Sequence, residues 1–182
     1  MARVPQQARD DYLTPTQIGA VGVSIVAARL IASSEGRLCP FLPVADDGGV
    51  DLLIFDKKTR HAVPVQVKTR TVELKRFPNL VHFQVRKKTF SETPGTVVVA
   101  MLFDWNKQQP RAMWLLPNEV LGRQARNSGS NHVLRPSIAA ESRDRWTRFR
   151  CTSFKELARR LVILLETGKP PEGGPEAAHA FS

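Results

Sequence analysis

The chain has 182 residues, 42% of them hydrophobic, which suits one domain with a proper core and argues against a disordered polymer. Lys and Arg number 27 against 17 Asp and Glu, and a net charge of +10 points to a polyanionic partner rather than to a small metabolite, with a basic surface kept for solubility as the competing reading. Cys39 and Cys151 stand far apart with no CxxC or His companion, so neither a disulfide framework nor a structural zinc site is indicated, and a reducing, cytoplasmic compartment fits.

Residues 1–13 are polar and read as an extension ahead of a single domain at 14–168. Thr14-Pro15-Thr16-Gln17 offers an N-cap, a proline at the first helical position and a Gln at the third, and Ile18, Val21, Ile25, Ala28 and Ala32 recur at helical spacing until Gly36. A helix over about 15–34 is predicted. Its uncharged apolar stretch, Ile18 to Ala28, is too short to cross a bilayer and too far in for a usual signal sequence, so a buried helix and no membrane are expected. A loop with Pro40 and Pro43 and an Asp46-Asp47-Gly48-Gly49 turn lead into a strand over Val50–Phe55. Asp56–Arg60 is a hairpin connection, after which Val63, Val65 and Val67 alternate with Pro64, Gln66 and Lys68.

Val81–Val85 and Thr96–Phe103 read as strands, the second apolar enough to be central, and Arg111–Leu116 returns beside it. Pro117–Leu121 reads as a short helix and Arg123–Asn131 as a mobile loop. Ser153-Phe154-Lys155-Glu156 opens a helix with an apolar stripe of Phe154, Leu157, Leu161, Leu164 and Leu165 that stops before Gly168, and 169–182 is a Pro/Gly/Ala tail read as disordered. The expected class is α/β, a mixed sheet of about five strands flanked by helices.

The segment that carries chemistry is Gly49-Val50-Asp51, a hairpin, then Val65-Gln66-Val67-Lys68. Residues two apart on a strand share a side, and the partner strand brings Asp51 alongside Gln66 and Lys68. An acid can bind a divalent ion, an amide oxygen can join it, and an ammonium can stabilise the negative charge that develops as a phosphodiester is attacked. The bland reading is an ion pair across a hairpin beside a surface glutamine. Asp46–Asp51 lacks the alternating acids and closing Glu of a calcium loop.

In the order helix, G-V-D, hairpin, Q-V-K, residues 14–120 resemble the PD-(D/E)XK or restriction-endonuclease-like nuclease superfamily, most of all its Holliday-junction-resolvase-like and intron-endonuclease-like members. The resemblance implies a restriction-endonuclease-like core and cleavage of DNA with Mg2+ or Mn2+. Asp51 would bind metal, Gln66 would hold the acidic-or-Gln position and Lys68 would be the catalytic lysine; a homodimer is a further implication. Where relatives carry a helix glutamate after a glycine, this chain has Gly22-Val23. With Gln66 neutral as well, a catalytically inactive nuclease-like nucleic-acid-binding module is the alternative, and Asp46, Asp47 or Glu35 are candidates for a second carboxylate.

Lys57, Lys58, Arg70, Arg76, Arg86, Lys87 and Lys88 are the expected phosphate contacts, all on turns or strand ends near the motif in sequence, and Arg143, Arg145, Arg148 and Arg150 form a further basic cluster. Trp105, Trp114 and Trp146 could stack on bases, but two of them lie in apolar strand context that favours the core. The four histidines show no metal or triad spacing.

Overall fold

The computed structural model describes residues 13–45, 48–71, 79–87, 95–139 and 141–169. The expectations placed on residues 1–12, Asp46, Asp47, Arg76, Lys88 and the tail from Pro170 lie outside them. Helix α1 spans Pro15–Ser33. Strands β1 (Leu38–Phe41), β2 (Leu52–Asp56), β3 (Ala62–Thr71), β4 (Phe83–Arg86), β5 (Val97–Asp104) and β6 (Gln109–Pro117) follow. Then come helix α2 (Asn118–Gln124), strands β7 (Arg126–Ser128), β8 (Asn131–Leu134) and β9 (Arg150–Cys151), and helix α3 (Phe154–Thr167).

The start of α1 is fixed by reciprocal bonds: Gln17 N–H donates to the Thr14 hydroxyl at 3.2 Å and Thr14 N–H donates to Gln17 Oε1 at 2.8 Å. Gly36, at φ 78°, turns the chain out of the helix into β1. Only Gly22, Val26 and Leu30 of α1 are buried, so the helix lies on the sheet by one stripe and is not the buried helix expected from its composition. Among the described residues it is also the one helix, at 19 residues with Arg29 included, that is long and apolar enough to cross a membrane by length and composition alone.

Six strands form one mixed sheet in the order β1-β2-β3-β5-β6-β9, with β3 and β5 parallel and the other pairs antiparallel. Alternation divides its side chains between two cores. Val63, Val65, Val67, Val99 and Met101 pack under α1 and α3, whereas Val98, Ala100, Leu102 and Trp114 pack under a second sheet ordered β4-β8-β7. Apolar on both faces, β5 is buried from Val97 to Phe103 as its unbroken hydrophobic run predicts.

Two expectations change here. The segment read as a mobile loop, 123–131, contains the end of α2 and most of the β7–β8 hairpin, and the strand near Val81–Val85 joins the small sheet rather than the main one. Of the tryptophans, Trp114 is 0% and Trp146 5% exposed, both in the core beneath the small sheet.

At the far end of β2, the carboxylate of Asp56 is fully buried. It accepts from Arg37 Nε at 2.9 Å, Arg37 Nη2 at 2.7 Å, Lys58 N–H at 2.9 Å and Thr59 Oγ1 at 3.1 Å. Arg37 Nη2 also donates to Glu166 Oε1 at 2.7 Å, which ties the exit of α1, the β2–β3 hairpin and the end of α3 together. The Arg37 hydrogen bond outweighs burial and holds Asp56 down to about 2. A depressed carboxylate stabilises the fold above its unfolded pKa near 4 and loses that contribution as pH falls toward 2. Asp56→Asn is therefore expected to cost about 2–3 kcal/mol at pH 7, as two pKa units imply. Urea melts at pH 7 and pH 2.5 check this; the gap between the proteins should shrink toward the acid end.

Candidate active site

Leu52 stands opposite Val65 and Ile54 opposite Val63 in the antiparallel β2–β3 hairpin, so the register extended by one residue sets Asp51 against Gln66. Leu52 and Ile54 enter the core under α1. Period-two alternation then turns Asp51 to the opposite face of the sheet, the face of Gln66 and Lys68. The backbone ladder ends here: Asp51 N–H donates to the Val65 carbonyl at 3.0 Å, and the next inward-facing amide of β3 has no strand to meet. The side chain of Asp51 takes its place, with Oδ2 accepting from Val67 N–H at 2.6 Å, a short charge-assisted bond that pins the carboxylate between Gln66 and Lys68.

Gln66 is 2% exposed, and its Oε1 is buried with no hydrogen-bond partner among the described residues. Leaving such an acceptor unmet costs about 1–3 kcal/mol, so it is poised for a cation or a donor. Lys68 is half-buried and sits beside Ala100 of the parallel strand β5, whose methyl group is small next to the valine and leucine on either side in that row. Arg70, two residues on, donates from Nε to the carbonyl of His82 at 3.1 Å. The His82 imidazole is held below its ordinary range by burial and by the charges of Arg135 and Arg70, which marks an electropositive corner.

Among the described residues, carboxylates are scarce at this end. Among the described residues no group of three or more His, Cys, Asp and Glu side chains converges. Val23, where the resemblance implies a glutamate, packs against the core. Glu35 lies two residues before Arg37, at the Asp56 end of β2, which is roughly 17 Å along the strand from Asp51, so it cannot supply the second acid. What remains among the described residues is one carboxylate and one unmet amide oxygen, a donor set that Mg2+ takes only where waters and substrate phosphate complete its shell.

The basic residues separate in space. Lys57 and Lys58 occupy the β2–β3 turn at the Asp56 end, remote from Asp51, with Lys57 N–H on the Arg37 carbonyl. Arg86 pairs with Asn131 and Lys87 N–H donates to the Ser130 carbonyl, which puts both at the tip of the small sheet. Arg70 is the one expected contact on the strand and face of Lys68. Sequence reasoning missed Arg126 and Arg135, which flank Val133 in the small sheet; reading 126–135 as a hairpin, from Asn127-Ser128-Gly129-Ser130, would have put them on one face. It also placed Arg150 among the free basic residues, whereas both terminal nitrogens of Arg150 donate to the carbonyls of Ala139 and Ile138.

No protein-family model matches the chain, and no curated protein matches it in sequence. Among solved structures it is similar to the bacterial homing endonuclease I-Ssp6803I, with a TM-score of 0.55 at 15% identity over 85% of this chain and 96% of that one. The Holliday junction resolvase Hjc of Archaeoglobus fulgidus also matches, with a TM-score of 0.39 at 12% identity over 71% of this chain and 96% of that one.

Proposed function

We propose that this chain, which has the restriction-endonuclease-like fold, is a divalent-metal-dependent endonuclease that hydrolyses DNA phosphodiesters at the Asp51–Gln66–Lys68 end of its hairpin. The observation that carries this reading is the Asp51 carboxylate fastened to Val67 N–H, between an unmet buried amide oxygen and a lysine on the same face. Asp51 and the Gln66 Oε1 would hold Mg2+ or Mn2+, which when bound polarises the phosphate and offsets its charge. Lys68 places its ammonium against the scissile phosphate and stabilises the negative charge as water attacks. The water oxygen joins phosphorus, one P–O ester bond breaks, and the proton lost by water ends on the departing alkoxide. Arg70 extends the positive surface along the strand and holds the neighbouring backbone.

The exposed apolar side chains at the β1 edge, Phe41 at 52% and Leu42 at 69%, supply a surface that a second copy would cover, consistent with a homodimer that addresses both strands. Purified protein incubated with supercoiled, branched and single-stranded DNA tests the reading. Cleavage of at least one with Mg2+ or Mn2+, abolished by EDTA, is expected; no cleavage of any, alongside EDTA-insensitive, salt-sensitive binding, would establish the inactive binding module instead.

A further inference from the structure

Beside the small sheet lies a cleft of about 280 Å³ that the active-site reading does not use. Its origin is local. Arg126 pairs with Val133 across the β7–β8 hairpin, and Arg135 follows Val133 by two residues, so all three share the face that Leu134 turns away from. Val133 and Trp146 line the cleft with apolar surface, Gln124 at the end of α2 forms one wall, and Arg145 closes it by donating from Nη1 to the Gln124 carbonyl at 3.2 Å. An adjoining hollow adds Arg148.

The charge balance is one-sided. The one acid in the lining, Asp144, is already committed to its own loop, where it accepts from Ser137 N–H at 2.6 Å, Trp146 N–H at 2.8 Å and Thr147 Oγ1 at 3.2 Å. Neither Arg126 nor Arg135 has an ion-pair or hydrogen-bond partner among the described residues. Gln124 Oε1 is buried without a hydrogen-bond partner, an acceptor that a bare phosphate cannot satisfy but a sugar hydroxyl or an exocyclic amino group can. Arg135 also acts electrostatically on His82, whose carbonyl holds Arg70, two residues from Lys68. Positive charge thus runs from the cleft to the candidate active site.

We propose that this cleft is a second nucleic-acid site, receiving one nucleotide of the strand with its phosphate against Arg126 and Arg135 and its sugar or base against Gln124, Val133 and Trp146. The ligand class rests on the nuclease reading, and the test reads binding so that the two can fail separately. Fluorescence anisotropy of a labelled oligonucleotide in EDTA is compared for wild type and Arg126→Ala/Arg135→Ala, both exposed positions whose loss should leave the melting temperature in place. Expected are at least about tenfold weaker binding and a salt slope lower by about 1, since one phosphate is no longer neutralised. Gln124→Leu should weaken oligonucleotide binding about threefold, as loss of a neutral hydrogen bond implies, with the slope unchanged. Wild-type affinity and slope in the double variant, absence of oligonucleotide binding by the wild type, or competition by polyglutamate equal to that of an oligonucleotide of the same charge, would each overturn the proposal. A wild type that binds but does not cut would overturn only the nuclease reading.

Discussion

Lys68→Ala is expected to cut DNA about 10²–10³-fold more slowly than the wild type, the range seen when one preorganised charge-stabilising group is removed from an active site. The side chain is half-buried at a strand position beside Ala100, outside the two hydrophobic cores, so its removal should lower the rate far more than the stability. Substrate affinity, measured in EDTA, should fall far less than the rate, because one phosphate contact among several is lost. Asp51→Asn separates two duties of the carboxylate. An amide oxygen still accepts from Val67 N–H and keeps the hairpin end closed, yet the anionic ligand for a hard cation is gone. Loss of both cleavage and calorimetric Mg2+ binding is the expected result, with melting nearly unchanged. If Lys68→Ala cuts at the wild-type rate, the pair is merely a hairpin ion pair and the enzyme reading fails.

Local signals in the sequence were enough for the hairpin and not for its surroundings. The Thr14–Gln17 capping pattern, the valine alternation of β3 and the apolar run of β5 each depend on residues within a few positions of one another, and each forms where that pattern puts it. Strand β1 was hidden by Pro40, which is tolerated because β1 is an edge: Pro40 pairs with Ile54 on one side and owes no N–H to the other. The β7–β8 hairpin was hidden by a polar run, Arg126 to Asn131, with no apolar alternation to betray strands. Asp51, Gln66 and Lys68 were legible as neighbours since a hairpin register is local. Lys57 and Lys58 are near Asp51 in sequence and far from it in space, because the turn of a hairpin is the point most distant from its open end. Arg126 and Arg135 share a face through the local β7–β8 hairpin, which its polar sequence concealed, whereas Arg145 joins them only because its loop folds back onto the Gln124 carbonyl.

Gly22→Ala should destabilise the protein by about 1–3 kcal/mol, although alanine is the better helix former by up to about 1 kcal/mol. The reason is contact. A Cβ built on Gly22 would lie 1.8 Å from Thr69 Oγ1 and 2.8 Å from Thr69 Cβ, and α1 can accept it only by lifting off β3. Thr69 cannot retreat readily, since its strand is held by β5 through a parallel register from Val65 to Thr71. Its hydroxyl is buried without a hydrogen-bond partner among the described residues, so Thr69→Ala alone should be nearly neutral. In the double variant the 1.8 Å conflict disappears while the 2.8 Å one persists, and part of the loss should return, giving a coupling energy of about 1 kcal/mol or more. Thermal melts of the four proteins measure this, with a fall of roughly 2–10 °C expected for Gly22→Ala at this chain length. Lys68 adjoins Thr69 on β3, so the same displacement should slow cleavage in Gly22→Ala and spare it in Thr69→Ala. A Gly22→Ala protein that melts at or above the wild type would mean that α1 is not seated on β3 at this residue.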